Sequence, residues 1–302
     1  MKNIGKKFKY TALGIGSAIG LLVVWSFIEP RLLNTRTETA QIPDLPPSWS
    51  GKQVAQISDF QIGLWGDNRN TARRSVAEIV EAKPAVALIS GDFLYHAGKN
   101  IKPEIETAVD IVRPLVEAGI PTYAVLGNHD YGMSSKKAQP KIEQAERLEM
   151  ALEEAGIEVL ENEAVQLSSS ESNEPLYLVG VGSLWAGRDN VDKALSGIPD
   201  ASPRITMMHN PDTFEQFPSS SAPLAVSGHT HGGQVRVPAS PQWSWLRFTQ
   251  KDKVYADGWA KGYGKPGNQL YVNIGIGMSI APIRLFCPPE LTFFTLQPGE
   301  AS

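Results

Sequence analysis

The chain has 302 residues, 42% hydrophobic and 20% charged, with a formal net charge of −4. That length can bury the core of one large domain, and mild acidity without a basic stripe argues against a nucleic-acid partner. The single cysteine, Cys287, excludes an intrachain disulfide and a thiolate metal cluster, and is expected to be a small core residue of a C-terminal strand.

In chain order, Lys2, Lys6, Lys7 and Lys9 precede an uncharged apolar stretch over residues 10–28. A helix of ~20 apolar residues crosses the hydrocarbon core of a bilayer. Residues 1–33 are therefore expected to be a basic cytoplasmic segment and membrane anchor. Bulky or charged residues follow the apolar run where a signal peptidase needs small ones, which favours a retained anchor over a removed signal. Lysines before the span are expected to keep the N-terminus cytoplasmic and send the remainder to the extracytoplasmic side. Arg31 and Arg36, beyond the span, oppose that orientation. Residues 34–50, polar and then proline-rich (Pro43, Pro46, Pro47), read as an extended tether, and the folded domain is expected over 51–302.

Short apolar runs at 54–57, 85–89, 122–126, 205–208 and 224–226 read as buried strands. Helical spacing covers 69–82 (Ala72, Val76, Ile79, Val80), 105–118 and 139–155, the first stopping before Pro84 and the last at Gly156. Helices alternating with strands imply crossovers onto a parallel or mixed sheet. The second half is richer in expected strands: 158–160, 164–167, 176–180, 234–237, 269–273, 284–286 and 291–296. Residues 168–173 form a polar loop, and 238–267 a long functional or capping loop. Two sheets packed face to face with helices outside suit this count.

Five of the strands run into loops rich in metal-ligand side chains. They are Ser58-Asp59-Phe60-Gln61, Ser90-Gly91-Asp92-Phe93, Gly127-Asn128-His129-Asp130, Met208-His209-Asn210-Pro211 and Gly228-His229-Thr230-His231-Gly232-Gly233. An open α/β sheet gathers ligands at the carboxyl ends of its strands. Asp59, Asp92 and Asn128 taken singly would be helix caps or turn residues. Together with three loop histidines, they describe a binuclear metal site.

The ordered series D-x-[H/Q], GD, GNHD, H-x-P and GHTH resembles the calcineurin-like metallophosphoesterases, and residues 53–296 are similar to their membrane-associated bacterial branch. The tail Gly275-Ile276-Gly277, Pro282-Ile283-Arg284 and Pro288-Pro289-Glu290-Leu291 extends the match. The resemblance implies an α/β fold, a four-layer α/β/β/α sandwich of two mixed sheets, behind an N-terminal membrane helix. It implies two divalent metal ions bridged by Asp92, one completed by Asp59, Gln61 and His231, the other by Asn128, His209 and His229. A metal-bridged hydroxide would attack phosphorus, and His129 would be the catalytic residue that stabilises the transition state or protonates the leaving oxygen. The implied activity is hydrolysis of a phosphate ester or diphosphate. The anchor and an aromatic-rich patch (Trp243, Trp245, Leu246, Phe248) suit a lipid-linked substrate, although that patch equally suits a lid packed on the domain. An inactive scaffold for protein contacts is the competing function. Such drift erases ligands, whereas here one position changes, and to a side chain that still offers a donor oxygen.

Two positions depart from the pattern. Gln61 stands where many relatives have histidine, and its harder oxygen favours Mn²⁺ or Mg²⁺ over Zn²⁺ at that site; Mn²⁺ is the expected metal, with Mg²⁺, Zn²⁺ and iron as alternatives. Tyr95 stands where many relatives have an acid that orients the catalytic histidine. Either His129 is less basic here or Asp130 takes the orienting part, and good leaving groups are favoured. Among weaker candidates, Arg188 and Arg284 can clamp phosphate or serve as surface cations, and His96 can contact substrate. Gly232-Gly233 allows a tight turn, and Asn210-Pro211-Asp212 opens a capped helix that aims His209.

Overall fold

The computed structural model describes residues 2–95, 101–169, 172–200, 202–238, 240–244, 246 and 255–299. The first half runs α1 (Lys2–Ile28), β1 (Asn34–Pro43), β2 (Gln53–Ile57), α2 (Arg69–Ala82), β3 (Val86–Ile89), α3 (Lys102–Glu117), β4 (Thr122–Ala124), α4 (Ile142–Glu154) and β5 (Glu158–Val159). The second runs β6 (Glu163–Ser169), β7 (Ser172–Gly180), α5 (Val191–Leu195), β8 (Arg204–Met207), β9 (Leu224–Ser227), β10 (Arg236–Val237), β11 (Ser240–Ser244), β12 (Gly258–Trp259), β13 (Leu270–Val272) and β14 (Glu290–Gly299).

Twelve strands build two six-stranded mixed sheets, β1-β14-β2-β3-β4-β5 and β12-β13-β9-β8-β7-β6, and β10 and β11 form a separate antiparallel pair. β2 to β5 are mutually parallel, as are β7, β8, β9 and β13. Alternate side chains of each strand face opposite sides. Val54, Val86 and Leu88 therefore pack inward against Leu178, Ile205, Met207 and Val226 of the other sheet. Their neighbours Ala55, Ile57, Ala87 and Ile89 face α2, α3 and α4 through Val76, Ile79, Val112 and Leu148. The outer face of the second sheet is covered by α5 and a 3-10 turn carrying Phe214 and Phe217. This is the expected four-layer arrangement. α2 has the boundaries that its periodicity predicts, closed by Lys83 in a left-handed conformation (φ 51°) before Pro84.

Residues 34–50 are not a tether. Asn34–Pro43 pair in parallel with all of β14, and a short 3-10 turn, Pro47–Trp49, buries Trp49. Composition concealed this strand because its inward face begins with polar residues that find partners across the sheet. Arg36 bonds Glu290 (3.0 Å) and Asp257 (2.9 Å), while Glu38 accepts from the Trp259 indole (3.0 Å). Residues 284–286 are likewise not a strand; they contribute a single bridge, Leu285 to Val235. Cys287 is buried as expected, but in the loop before β14. The polar stretch 168–173 contains the ends of the β6–β7 hairpin, and the expected 234–237 strand shrinks to β10 behind a 3-10 turn at His231–Gly233.

Most of α1 and the 3-10 turn after it form a span, Lys9–Arg31, long and apolar enough to cross a membrane. Its C-terminal end is fastened to the domain: Glu29 is buried and accepts from the backbone of Phe286 (2.9 Å) and Cys287.

Removing residues 1–50 deletes β1 and bares the edge of β14. The truncated chain is expected to aggregate, or to melt ~10 °C or more below a chain starting at residue 33, since a few kcal/mol move Tm by that much in a domain this size. Equal thermal-unfolding midpoints would mean that β1 is dispensable.

Candidate metal centre

The carboxyl ends of β2, β3, β4, β8 and β9 open onto one crevice, and β2, β3 and β9 leave it through strained turns. Asp59 (φ 56°), Gln61 (54°), Asp92 (56°), His229 (73°) and His231 (49°) are all left-handed. A non-glycine residue there costs ~1 kcal/mol, and such strain persists only where surrounding contacts enforce it. Here Asp59 N donates to Gly91 O (2.9 Å), Gln61 N to Asp92 O (3.0 Å), and His229 N to the Asp59 carboxylate (3.0 Å). Two glycines let the loops close: a Cβ on Gly127 would overlap Asp92 Oδ1, and one on Gly228 would overlap Ser58 Oγ and Asp59 Oδ2.

Two donor clusters result. Asp92, His209 and His229 present atoms within 4.8 Å of one another, as do Asp59, Asp92 and His231, with Asp92 common to both. His209 Nε2 lies 3.2 Å from Asp92 Oδ2, and His231 Nε2 lies 3.3 Å from Asp59 Oδ1. The Gln61 amide nitrogen lies against the Asp59–Asp92–His231 cluster, 2.9 Å from Asp92 Oδ2 and 3.2 Å from His231 Nε2. Asn128 ties its amide nitrogen to Met133 O (2.8 Å), which leaves its oxygen for the crevice. The Gln61 and Asn128 oxygens and His231 Nδ1 are buried without a hydrogen-bond partner among the described residues. Orphaned acceptors of this kind cost ~1–3 kcal/mol each, a cost that cations in the two clusters would relieve. A half-turn of the Gln61 amide exchanges its nitrogen and oxygen without moving the chain.

Electrostatics favour the same occupant. Asp59, Asp92 and Asp130 are all buried within this crevice. Burial, reinforced by the neighbouring Asp92 charge, pushes Asp59 up to about 6 and Asp130 up to about 7. Burial also opposes the charge of Asp92, yet His209 and His129 beside it hold its carboxyl well below the usual range. His209 rises to about 9 against its own burial because Asp92 faces it, whereas burial and the His209 charge drive His229 down to about 3. Carboxylates and imidazoles thus compete for protons at one point, and a divalent cation there relieves the cost of burying the anions together.

Asp130 accepts from the backbone of Asp92 (2.9 Å), Leu94 (3.0 Å) and Gly127 (2.8 Å). It braces the loops and does not orient His129. The His129 ring instead stacks on Tyr95 (centroids 5.1 Å apart), and its Nδ1 donates to the Tyr95 backbone carbonyl. His209 is aimed by Ser90 O (2.8 Å), and the Asn210 side chain makes no cap bond to the 3-10 turn after it. Arg188 pairs with Glu161 at the surface. Arg284 is fully buried and donates to the carbonyls of Gly277, Ile274, Gly275 and Cys287, so neither arginine clamps phosphate. Gly232 (φ 60°) and Gly233 (φ 73°) make the expected tight turn. His96, Trp245 and Phe248 lie outside the described residues.

The crevice floor opens into a cavity of about 440 Å³ whose walls include Lys136, Trp185, Leu246, Ile280 and Ile283. Sequence reasoning missed the first two. Trp185 packs edge-on against His229 (4.6 Å), and Lys136 lies over the Trp185 ring (5.7 Å) and near Asp212 (3.4 Å). The signal for Trp185 was its position behind β7, a strand parallel to β8 that ends at the same crevice.

A family-wide sequence profile described as calcineurin-like phosphoesterase matches residues 52–233. The chain is 32% identical to "Phosphodiesterase YaeI" of Escherichia coli over 74% of each chain. It is 25% identical to "Uncharacterized metallophosphoesterase YkuE" of Bacillus subtilis, covering 90% of this chain and 88% of that one. It is 24% identical to "UDP-2,3-diacylglucosamine pyrophosphatase LpxG" of Chlamydia trachomatis, covering 89% and 91%. With five ligand-bearing strand ends meeting in one crevice, the chain belongs to the calcineurin-like phosphoesterases, metal-dependent hydrolases of phosphoric esters.

Proposed function

We propose that the protein is a membrane-anchored hydrolase of a phosphate ester or diphosphate carried on a lipid-linked molecule. The observation that carries this reading is the form of the cavity, with metal-ligand chemistry on its floor and Trp185, Leu246, Ile280 and Ile283 in its walls. One relative's name specifies a diacylated sugar nucleotide, a substrate with that division of polarity. The apolar span in α1 supports anchoring, and the lysines before it support an extracytoplasmic domain.

In this reading Asp59, Gln61, Asp92 and His231 hold one divalent cation, and Asp92, Asn128, His209 and His229 hold the second. Bound cations would supply Lewis acidity and a water acidified toward neutrality. The chain's own residues do the rest. With Nδ1–H committed to the Tyr95 carbonyl, His129 turns Nε2 toward the leaving oxygen. A carbonyl stabilises the imidazolium less than a carboxylate does, so His129 donates its proton best to leaving groups that need little help. Lys136 contributes positive charge at the cavity wall, and Trp185 holds the His229 ring in place. Gln61, a hard neutral oxygen donor, favours Mn²⁺.

Mn²⁺ is expected to raise the Tm and to support hydrolysis of bis-p-nitrophenyl phosphate. Asp92→Asn should abolish both, with the rate falling ~10³-fold or more; a variant that kept either would refute the shared-ligand assignment. Gln61→His should move the metal ranking from Mn²⁺ toward Zn²⁺, and an unchanged ranking removes Gln61 from the ligand set. His129→Ala should slow alkyl phosphodiesters by ~10²–10⁴-fold while sparing aryl ones. Equal losses on both substrate types would rule out proton donation by His129.

A further inference from the structure

A helical anchor joined by a flexible tether would leave the domain free to tumble above the bilayer. This chain has no such slack. Ser26 O accepts from Arg284 N (2.9 Å), Glu29 accepts from the Trp25 indole (2.7 Å) and from Phe286 N (2.9 Å), and Pro30 O accepts from Thr71 Oγ1 (3.2 Å) and Asn68 Nδ2. The segment that grips the helix end is the one that walls the cavity: Ile280 and Ile283 line it, and Arg284 and Phe286 hold α1. Four residues span at most ~14 Å, so the cavity rim lies close to the point where the apolar span ends.

Three segments that touch one another there expose large apolar side chains. Gly66 approaches Pro282, and Leu285 N donates to Gln234 O (2.7 Å). On these segments Trp65 is 67%, Val237 53% and Ile280 74% exposed, with Phe286 also exposed. Isolated exposed apolar residues are ordinary, but several on adjoining segments mark an interaction surface. Ile280 (φ 66°) and Phe286 (φ 56°) are moreover held in the left-handed region, where bulky residues are rare. The fold strains its backbone to keep them outside. Arg31, Arg73 and Arg74 stand exposed beside the same helix end, where Arg74 bonds Arg31 O.

We infer that this face, Trp65, Val237, Ile280 and Phe286 beside the arginines, seats on an anionic bilayer and holds the cavity mouth against it. The arginines meet the phosphates and the apolar side chains enter the interface, where tryptophan is favoured. An amphiphilic substrate then passes from the bilayer into the cavity without crossing water. The inference rests on the anchoring proposed above and adds a fixed orientation of the domain.

The test uses the full chain in vesicles of phosphatidylcholine and phosphatidylglycerol, spin-labelled through single substitutions. Val237→Cys and Phe286→Cys report the face independently. Glu154→Cys, on α4 beside the far edge strand β5, reports a control surface, and Leu21→Cys reports the span; native Cys287 is buried. At 237 and 286 the ratio of oxygen to nickel-chelate accessibility should exceed that at 154 several-fold, and the excess should shrink in phosphatidylcholine alone. Ratios at 237 and 286 equal to that at 154, with 21 immersed, overturn the docking while leaving the anchor standing. Water-accessible labels at 21 overturn the anchor and the docking together. Spin–spin broadening at 237 without lipid contact assigns the face to a second copy of the chain and also overturns it.

Discussion

The structure depends on the placement of one carboxylate. Asp92 Oδ1 receives the backbone N–H of His129 (2.8 Å), while Oδ2 faces both His209 and Gln61. Through these contacts one residue at the end of β3 joins loops from both sheets. The position is costly, being left-handed, buried and crowded by two further carboxylates. It holds because Asp130 fixes the Asp92 backbone from behind, and because Gly127 leaves room where any side chain would collide. Burial and crowding are tolerable for an anion that shares positive charge. That requirement is the physical link between the fold and metal-dependent chemistry.

Legibility followed how local each determinant is. The candidate ligand positions were readable because each lies within five residues of a buried apolar strand and all fall in one ordered series of loops. The helix over Arg69–Ala82 was readable from its apolar spacing. β1 was not, since its partner β14 begins at residue 290 and its inward face opens with polar residues, of which Arg36 and Glu38 find their partners only at residues 257, 259 and 290. The role of Arg284 was hidden for a related reason. A guanidinium that satisfies a ring of backbone carbonyls looks, in one dimension, like any surface cation. Lys136 follows the Asn128-His129-Asp130 motif in the loop after β4, and Trp185 sits in the loop after β7; neither is a ligand-type residue, so only three-dimensional proximity identifies them with the cavity.

The tyrosine in place of an orienting acid also finds a physical account. The Tyr95 backbone carbonyl takes the His129 Nδ1 proton, and its ring stacks on the imidazole, so orientation is retained while a full negative charge is not. The departure therefore changes the charge beside His129 and leaves the aim of the ring intact. Beside the same cavity, burial of Glu29 turns the exit of α1 into part of the domain, and one loop serves the anchor and the cavity wall.

The most direct measurement is anomalous diffraction at the manganese edge from crystals of the wild-type chain and of Asp92→Asn grown with Mn²⁺. Two peaks flanking the Asp92 carboxylate, one bounded by Asp59 and His231 and the other by His209 and His229, with at least one lost in the variant, are the expected result. An empty crevice, or a single ion that does not touch Asp92, would contradict the account.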